Sequence, residues 1–496
     1  MAFARLGHHV HLLCQDLEAG SLPWVDRIGR WRDGDLSVER ADGEPVEREG
    51  SGSVTVYLPD IGGLLPTYVF DHYEGFTTKT FADLSDTELD AYLDANVGAV
   101  RDVSDAIGGA DAALANHLVM GPAILARAGL AFAAKVHGSA LEFTVRPNRD
   151  RFLPYAREGT DAAAGVLVGS RHTAESLWAT VADPELPAKT RLGPPGVDTR
   201  LFAPATTEDA VAEVRALAAE ITARAGAGGG EWGEDAAVAA PALEEWAAAE
   251  GPRAIFVGKL IGTKGLDLLL AAWPMVVRAN PGARLLVVAF GEGRDVIVDL
   301  LAALDAGDVE AARRIAAAGM VTTEAEPIPL RFCDLFLAAA PDRYSEWARE
   351  AAGSVALAGR LEHDDVARVM PAAEALVFPS TFPEAFGMVA AEAAACGVLP
   401  IGADHSGIRE VALQLAAVLP REQRELLSFP LGEGSVEAIA ERLNGWLALD
   451  ADARVPTRRA LSARVHELWS WESVAGGVIA ASAGRVDELP SVPGRE

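Results

Sequence analysis

Two carboxylates and two ammonium groups in this chain have the types and spacing to handle a phosphorylated sugar. Glu384 and Glu392 lie in the stretch ALVFPSTFPEAFGMVAAEAAACG, from Ala375 to Gly397, the first in a loop and the second in the helical run after it. Between them a helix begins near Gly387, where the N–H groups of Phe386, Gly387 and Met388 lack intrahelical partners and form a positive end that attracts an anion. Carboxylates do not hold a phosphate, but they suit the paired hydroxyls of a sugar or ribose flanking one. Lys259 and Lys264 stand in GKLIGTKG, directly after the apolar run Ala254–Val257. Thr263 occupies the position where a P-loop needs glycine, so a motor or kinase reading is weak. Two point charges five residues apart can still bracket a diphosphate. His137, in His-Gly-Ser, and the pair Asn116-His117 each follow a short apolar run. Ligands of parallel α/β sheets sit beyond such strand ends.

The elements that must carry these groups follow from patterning. Ala375–Phe378 reads as a buried parallel strand, Gly387–Cys396 as an Ala-rich helix capped by Gly397, and Val398–Ile401 as the next strand. In the first half, His8–Cys14, Ala112–Ala115, Phe132–Val136 and Val166–Val168 read as strands separated by helices, the signature of a doubly wound parallel sheet. Ser85 with Glu88 forms a capping box for a helix to about Ile107. Gly34–Tyr57 alternates around Asp42-Gly43, which predicts a hairpin turning there, and Asp60–Phe76 suits a surface loop over a cleft. Leu266–Val277 predicts an amphipathic helix kinked at Pro274, followed by a strand at Leu285–Phe290 and another at Val355–Leu357. Thr206–Glu250 holds ten acidic residues against two Arg and a glycine run at 228–230, which predicts a mobile, partly helical insert.

Composition bounds the function. At 496 residues there is room for two or three cores. The formal charge of −29 argues against nucleic acid and limits membrane association to a peripheral contact. No run of about 18 uncharged apolar residues is present and no signal peptide is visible. Cys14, Cys333 and Cys396 are scattered without metal spacing, pointing to a reducing cytoplasm.

The residues Pro379, Ser380, Glu384, Phe386, Gly387, Glu392, Ala393, Ala395 and Gly397 together resemble the donor-domain signature P-S-x(2–3)-E-x-F-G-x-x-x-x-E-A-x-A-x-G of the retaining nucleotide-sugar glycosyltransferases of family 4 type. That resemblance implies an α/β fold of the GT-B kind, two Rossmann-like doubly wound parallel-sheet domains facing a cleft. Further matches are the Pro195-Gly196-Val197-Asp198 turn and the G-R-x(4)-K-G motif, in which Lys264 matches and Lys259 replaces the arginine. Others are Gly291-Glu292-Gly293 near the nucleotide, the loop Gly359–His363 with Leu361 along the base pocket, and Trp469–Glu472 in a closing helix. The segment ending at Gly7-His8 resembles the end of the family's first helix, so a preceding strand with a Gly-rich loop is expected upstream. The expected division is an acceptor-side domain at 1–200, an acidic Ala/Gly-rich linker or insert at 201–250, a donor domain at 251–455 and a returning helix and tail at 456–496.

The implied reaction is transfer of a sugar, with retention, from a nucleotide diphosphate sugar to the hydroxyl of a carbohydrate, lipid-linked or small-molecule acceptor. Lys264, Lys259, His137 and Glu384 are the expected catalytic group. Gly291, Leu361, Phe386, Gly387, Met388, Val389 and Glu392 are expected around the donor, and Asn116 and His117 at the acceptor. The nucleotide sugar is a co-substrate and no metal or other cofactor is expected. A non-catalytic sugar-nucleotide binding protein and another GT-B enzyme, such as a sugar-nucleotide epimerase, are the alternatives.

Overall fold

Short, mostly apolar runs such as AAKV, GVLV and ALVF form the buried strands that organise the chain. The computed structural model describes residues 1–43, 50–68, 73, 75–225, 233–320 and 327–494. It divides into one unit made of residues 1–196 and 471–496 and a second made of residues 197–470. The second unit is thus inserted, along the chain, between the body of the first and that unit's last helix.

The first unit holds β1 (His9–Leu13), β2 (Arg27–Arg32), β3 (Asp35–Arg40), β4 (Ser53–Pro59), β5 (Leu64–Thr67), β6 (Thr77–Thr80), β7 (Leu114–Asn116), β8 (Ala133–Val136), β9 (Gly165–Val168) and β10 (Thr190–Leu192). They form two four-stranded sheets, ordered β1-β4-β2-β3 and β10-β9-β8-β7, and a two-stranded parallel ladder β5-β6. Apart from the antiparallel pair β2–β3, every pairing is parallel. The helix Asp86–Ile107 begins with the expected capping box: the Ser85 hydroxyl accepts from the Glu88 N–H and the Glu88 carboxylate accepts from the Ser85 N–H. The helix Trp471–Ser482 packs on β8 and β9, with Val478 and Ala481 against Ala133 and Leu167.

The second unit holds β11 (Arg253–Lys259), β12 (Arg284–Phe290), β13 (Val355–Gly359), β14 (Ala375–Phe378), β15 (Leu399–Ala403) and β16 (Ser428–Phe429). All pair in parallel in the order β13-β12-β11-β14-β15-β16. The first strand of the unit lies at the centre and the order reverses between β11 and β14. This is the Rossmann arrangement, whose crevice opens at that reversal. Ala375, Leu376 and Val377 are fully buried, because helices cover both faces of such a sheet. Trp246, Trp273 and Trp446 are buried in the same core, and each indole N–H finds an acceptor, on Ala254, Ser354 and Glu374 respectively.

Three expectations need correction. The acidic segment 201–250 is helical, as expected, but not loose: it supplies the helices Thr207–Ala225 and Gly233–Ala247, which pack into the second unit through Val214, Leu217, Leu243 and Trp246. Among the described side chains, Glu208, Asp209, Glu213, Glu220, Glu244 and Glu245 are exposed opposite an apolar stripe at helical spacing, so charge count alone misjudges the segment. The glycine run at 228–230 lies outside the described residues. The hairpin turns at Asp33-Gly34 and not at Asp42-Gly43. Both turn residues have positive φ, +48° and +88°, as a two-residue turn matched to strand twist requires. The Asp42 and Gly43 N–H groups instead donate to the Gly20 carbonyl. Within 60–76, Leu64–Thr67 is strand β5, and residues 69–72 and 74 lie outside the described residues. The segment 295–350 is four helices, Arg294–Asp305, Val309–Ala318, Arg331–Ala339 and Tyr344–Glu350, with 321–326 outside the described residues.

Candidate functional site

At the reversal of the second sheet, two loops leave adjacent strands and meet. After β11 the chain makes a single 3-10 turn, Gly262–Lys264, then passes through Gly265 in the left-handed conformation, φ +68°, into the helix Leu266–Ala279. After β14 it runs from Pro379 to Gly387 and enters the helix Met388–Ala395, with Gly387 at φ +113°. Gly265 is required where it stands, because a Cβ there would overlap the Pro379 carbonyl. The loops are tied by Thr381 N–H donating to the Thr263 carbonyl at 2.8 Å, with the Ser380 hydroxyl 3.0 Å from the same oxygen.

This contact brings Lys264 and Glu384 together across 120 residues of sequence: the Lys264 ammonium donates to Glu384 Oε1. The Ser380 hydroxyl lies 2.8 Å from that same oxygen. Both charged side chains are about one-third exposed, so the pair is reachable from solvent yet only partly screened. The backbone of Glu384 is fixed as well, its N–H donating to Ser406 Oγ and its carbonyl accepting from the Gly407 N–H, each at 2.9 Å. His405 braces the arrangement. Its Nε2 donates to the Ser380 carbonyl at 2.8 Å, so in the neutral ring Nδ1 accepts from the Ser406 hydroxyl at 3.0 Å.

Glu392 sits one turn into the helix Met388–Ala395 and is 8% exposed. Its Oε1 lies 3.0 Å from Nε2 of His363, the first residue of the helix His363–Val369. The His363 ring rests against Phe202, centroids 4.9 Å apart. The carboxylate partner outweighs partial burial and raises the His363 pKa above its ordinary value. Lys259 is exposed at the end of β11. Gly291, φ +135°, follows β12 and lies against the Leu260 backbone, and Leu361 follows β13 and packs on the core. Phe386 is buried edge-on against Trp469, so only its backbone is available to a ligand. Met388 and Val389 form the first turn of the helix and are half-buried. Phe290, at the end of β12, is 39% exposed beneath the Arg360 guanidinium at 5.1 Å, a flat cationic surface that sequence patterning did not reveal.

In the first unit the residues after β7 and β8 form a second cluster. His117, with φ +68°, lies between the tilted rings of Tyr68 and His137, with centroids 4.2 and 4.9 Å away. Burial lowers the pKa of each histidine to about 4, aided by the partner ring for His117 and by Lys135 for His137. Both are therefore neutral near pH 7. Among the described residues, His117 Nδ1 is buried without a hydrogen-bond partner. Lys135, buried and bonded to the Pro194 carbonyl at 3.1 Å, is pushed down to about 8. Asn116 is exposed beside this cluster. Glu142 and Arg146 pair with each other, and Glu142 also accepts from Ser176, which gives both a structural role. Among the described residues no three His, Cys, Asp or Glu side chains gather to hold a metal, and no helix is long and apolar enough to cross a membrane.

Of the residues singled out by spacing, the two loops bring Lys264 and Glu384 into contact, and the partners that brace them were not all apparent. His405 and Ser406 follow β15 and carried only a positional signal. His363 and Phe202 carried none beyond their loops.

Residues 309–462 match the family model described as glycosyl transferases group 1. Over 233 residues the chain is 29% identical to a D-inositol 3-phosphate glycosyltransferase of Segniliparus rotundus, a match covering 46% of this chain. The chain spans 38% of the length of that curated relative. Among solved structures, a sucrose-phosphate synthase from Thermosynechococcus elongatus is similar with a TM-score of 0.48 at 18% identity, covering 97% of this chain and 98% of that one. An Anabaena protein solved with UDP and glucose gives a TM-score of 0.49 at 15% identity, covering 88% and 86%.

Proposed function

We propose that this chain, which carries a glycosyl transferases group 1 domain at residues 309–462, transfers a sugar from a nucleotide diphosphate sugar to an acceptor hydroxyl with retention of anomeric configuration. The observation that carries the reading is the Lys264–Glu384 pair at the reversal of a Rossmann sheet. A diphosphate sugar needs a cation for its leaving group and an acceptor of hydroxyl hydrogen bonds for its sugar, a few ångströms apart. Without donor, the two groups satisfy each other. A donor entering between them gives Lys264 the diphosphate as a new anion and Glu384 the sugar hydroxyls as hydrogen-bond donors, so neither group is left unsatisfied.

Charge accumulates on the diphosphate as the glycosidic bond breaks. Lys264, Lys259 and the helix N-terminus at Gly387–Met388 then interact more strongly with the departing group than with the ground state, which lowers the barrier. Glu392 takes the ribose hydroxyls, and the loops carrying Gly291 and Leu361 take the base. His137 and His117, neutral near pH 7, serve to accept or donate hydrogen bonds to sugar hydroxyls without adding charge, and Asn116 extends that surface toward the acceptor. We assign no protein nucleophile. The free state of Cys14, Cys333 and Cys396 is consistent with work in a reducing cytoplasm.

The test is a screen of uridine, guanosine and adenosine diphosphate sugars for release of nucleoside diphosphate. An inositol phosphate is the first acceptor to try, as the chemistry named for the Segniliparus relative. Release that requires both acceptor and Lys264, with the product anomer matching the donor by NMR, is the expected result. Binding without acceptor-dependent release would leave a sugar-nucleotide binding protein, and an inverted product would end the retaining assignment.

A further inference from the structure

We infer that His363 competes with the donor's ribose hydroxyls for Glu392, so that donor binding displaces the imidazole and releases a proton. This rests on the donor reading above and adds a group which that reading does not use. Glu392 is nearly enclosed, its side chain 11% exposed, whereas the His363 side chain over it is 61% exposed. The imidazole is therefore the outer of the two and stands between solvent and the carboxylate. A ribose diol presents two O–H donors and binds best to a carboxylate with both oxygens open. Here Oε1 is already taken at 3.0 Å.

Only the side chain has to move. The helix His363–Val369 is anchored by Arg368, which donates to Glu213 at 2.5 Å and to Glu220 at 2.8 Å, and by the Arg224–Asp365 contact at 3.5 Å. The buried Phe202 ring lies against the imidazole, tilted by 56° with centroids 4.9 Å apart. The charges acting on the ring are Glu392 from the helix Met388–Ala395, Asp364 from its own helix and Asp198 from the segment before the helix Thr207–Ala225. All three favour the protonated form. The charges of the neighbouring helix, Glu213, Glu220 and Arg224, are engaged with Arg368 and Asp365. Cys396, beside Glu392, is held as the neutral thiol by burial and by that carboxylate.

The sign of the effect follows. Glu392 holds the His363 pKa up in the free protein, and a donor that takes Glu392 removes that support. Between the two pKa values the ring loses its proton on binding. Affinity for the donor therefore falls as pH drops through the raised value of the free state and is level above it.

The measurement is titration calorimetry with UDP, GDP and ADP at pH 6, 7 and 8, in two buffers of different ionisation enthalpy. For whichever nucleotide binds, proton release near pH 7 and a several-fold weaker Kd at pH 6 than at pH 8 are expected. His363→Ala should abolish the release and bind several-fold tighter than the parent at pH 6. The 2′,3′-dideoxy form of the same nucleotide should bind without proton release. Binding with no buffer-dependent heat, or equal release from the dideoxy form, overturns the inference and leaves the donor reading standing. Failure of all three nucleotides to bind overturns both.

Discussion

Gly265→Ala tests whether the loop contact that pairs Lys264 with Glu384 matters for chemistry. Gly265 adopts φ +68°, a conformation that costs an L-residue roughly 1–2 kcal/mol. A Cβ there would stand 2.9 Å from the Pro379 carbonyl carbon and closer still to its oxygen, and this neighbour is backbone that cannot rotate aside. Relief requires the two loops to part by about 1 Å, a misplacement of the kind that costs catalysis on the order of 100-fold. The strain should also lower Tm by several degrees, since each kcal/mol is worth about 2–4 °C in a domain of this size. Gly262→Ala, in the same turn, is the control. Among the described residues its Cβ would meet the Leu330 and Met320 side chains, at 3.6 and 3.7 Å, which is ordinary contact. We expect it to stay within about 0.5 kcal/mol of the parent. The assay is nucleoside diphosphate release from the best donor, with thermal unfolding alongside. Parent-like turnover in Gly265→Ala, or equal damage in Gly262→Ala, would refute the claim that this contact positions the lysine.

Other expectations rest on single groups. Lys264→Ala should lower kcat about 100-fold, near 3 kcal/mol, in steady-state assays, and unchanged turnover would remove the residue from the chemistry. Glu392→Gln should raise the donor KM more than it lowers kcat, and the opposite pattern would count against ribose binding. Trp246→Ala should cost about 3–5 kcal/mol in denaturant unfolding, because its indole fills the second core, whereas a mobile insert would show no loss. Burial depresses the pKa of His117 and His137 to about 4, so below pH 6.5 the unfolded chain takes up protons that the folded one refuses. Stability of the first unit should therefore fall between about pH 6.5 and pH 4, and His117→Asn should flatten that slope in melts across the range.

The strand at Ala375–Phe378 has the same ends in sequence and structure, because an apolar run closed by proline leaves little choice. The helix after Ser85 was equally legible, since a capping box is local. Asp33-Gly34 and Asp42-Gly43 are indistinguishable as dipeptides, and only strand pairing decides which one turns the hairpin. The stripe Ala210, Val214, Leu217, Ala218 and Ile221 was present in the acidic segment but masked by its charge. The pairing of Lys264 with Glu384 could be anticipated only by placing two strands side by side. The His363–Glu392 contact depends on how the starts of two separate helices converge, which periodicity does not encode.

The chain order of the two units has a bearing on biosynthesis. The helix Trp471–Ser482 covers strands of the first unit, yet it is made only after the whole of residues 197–470. Emerging from a ribosome, the later-made unit has every strand of its sheet in hand while the earlier-made one still exposes the Ala133–Leu167 face awaiting Val478 and Ala481. A stall or truncation just short of Trp471 would thus release a finished Rossmann sheet tethered to an uncovered one, the species a chaperone would be expected to hold.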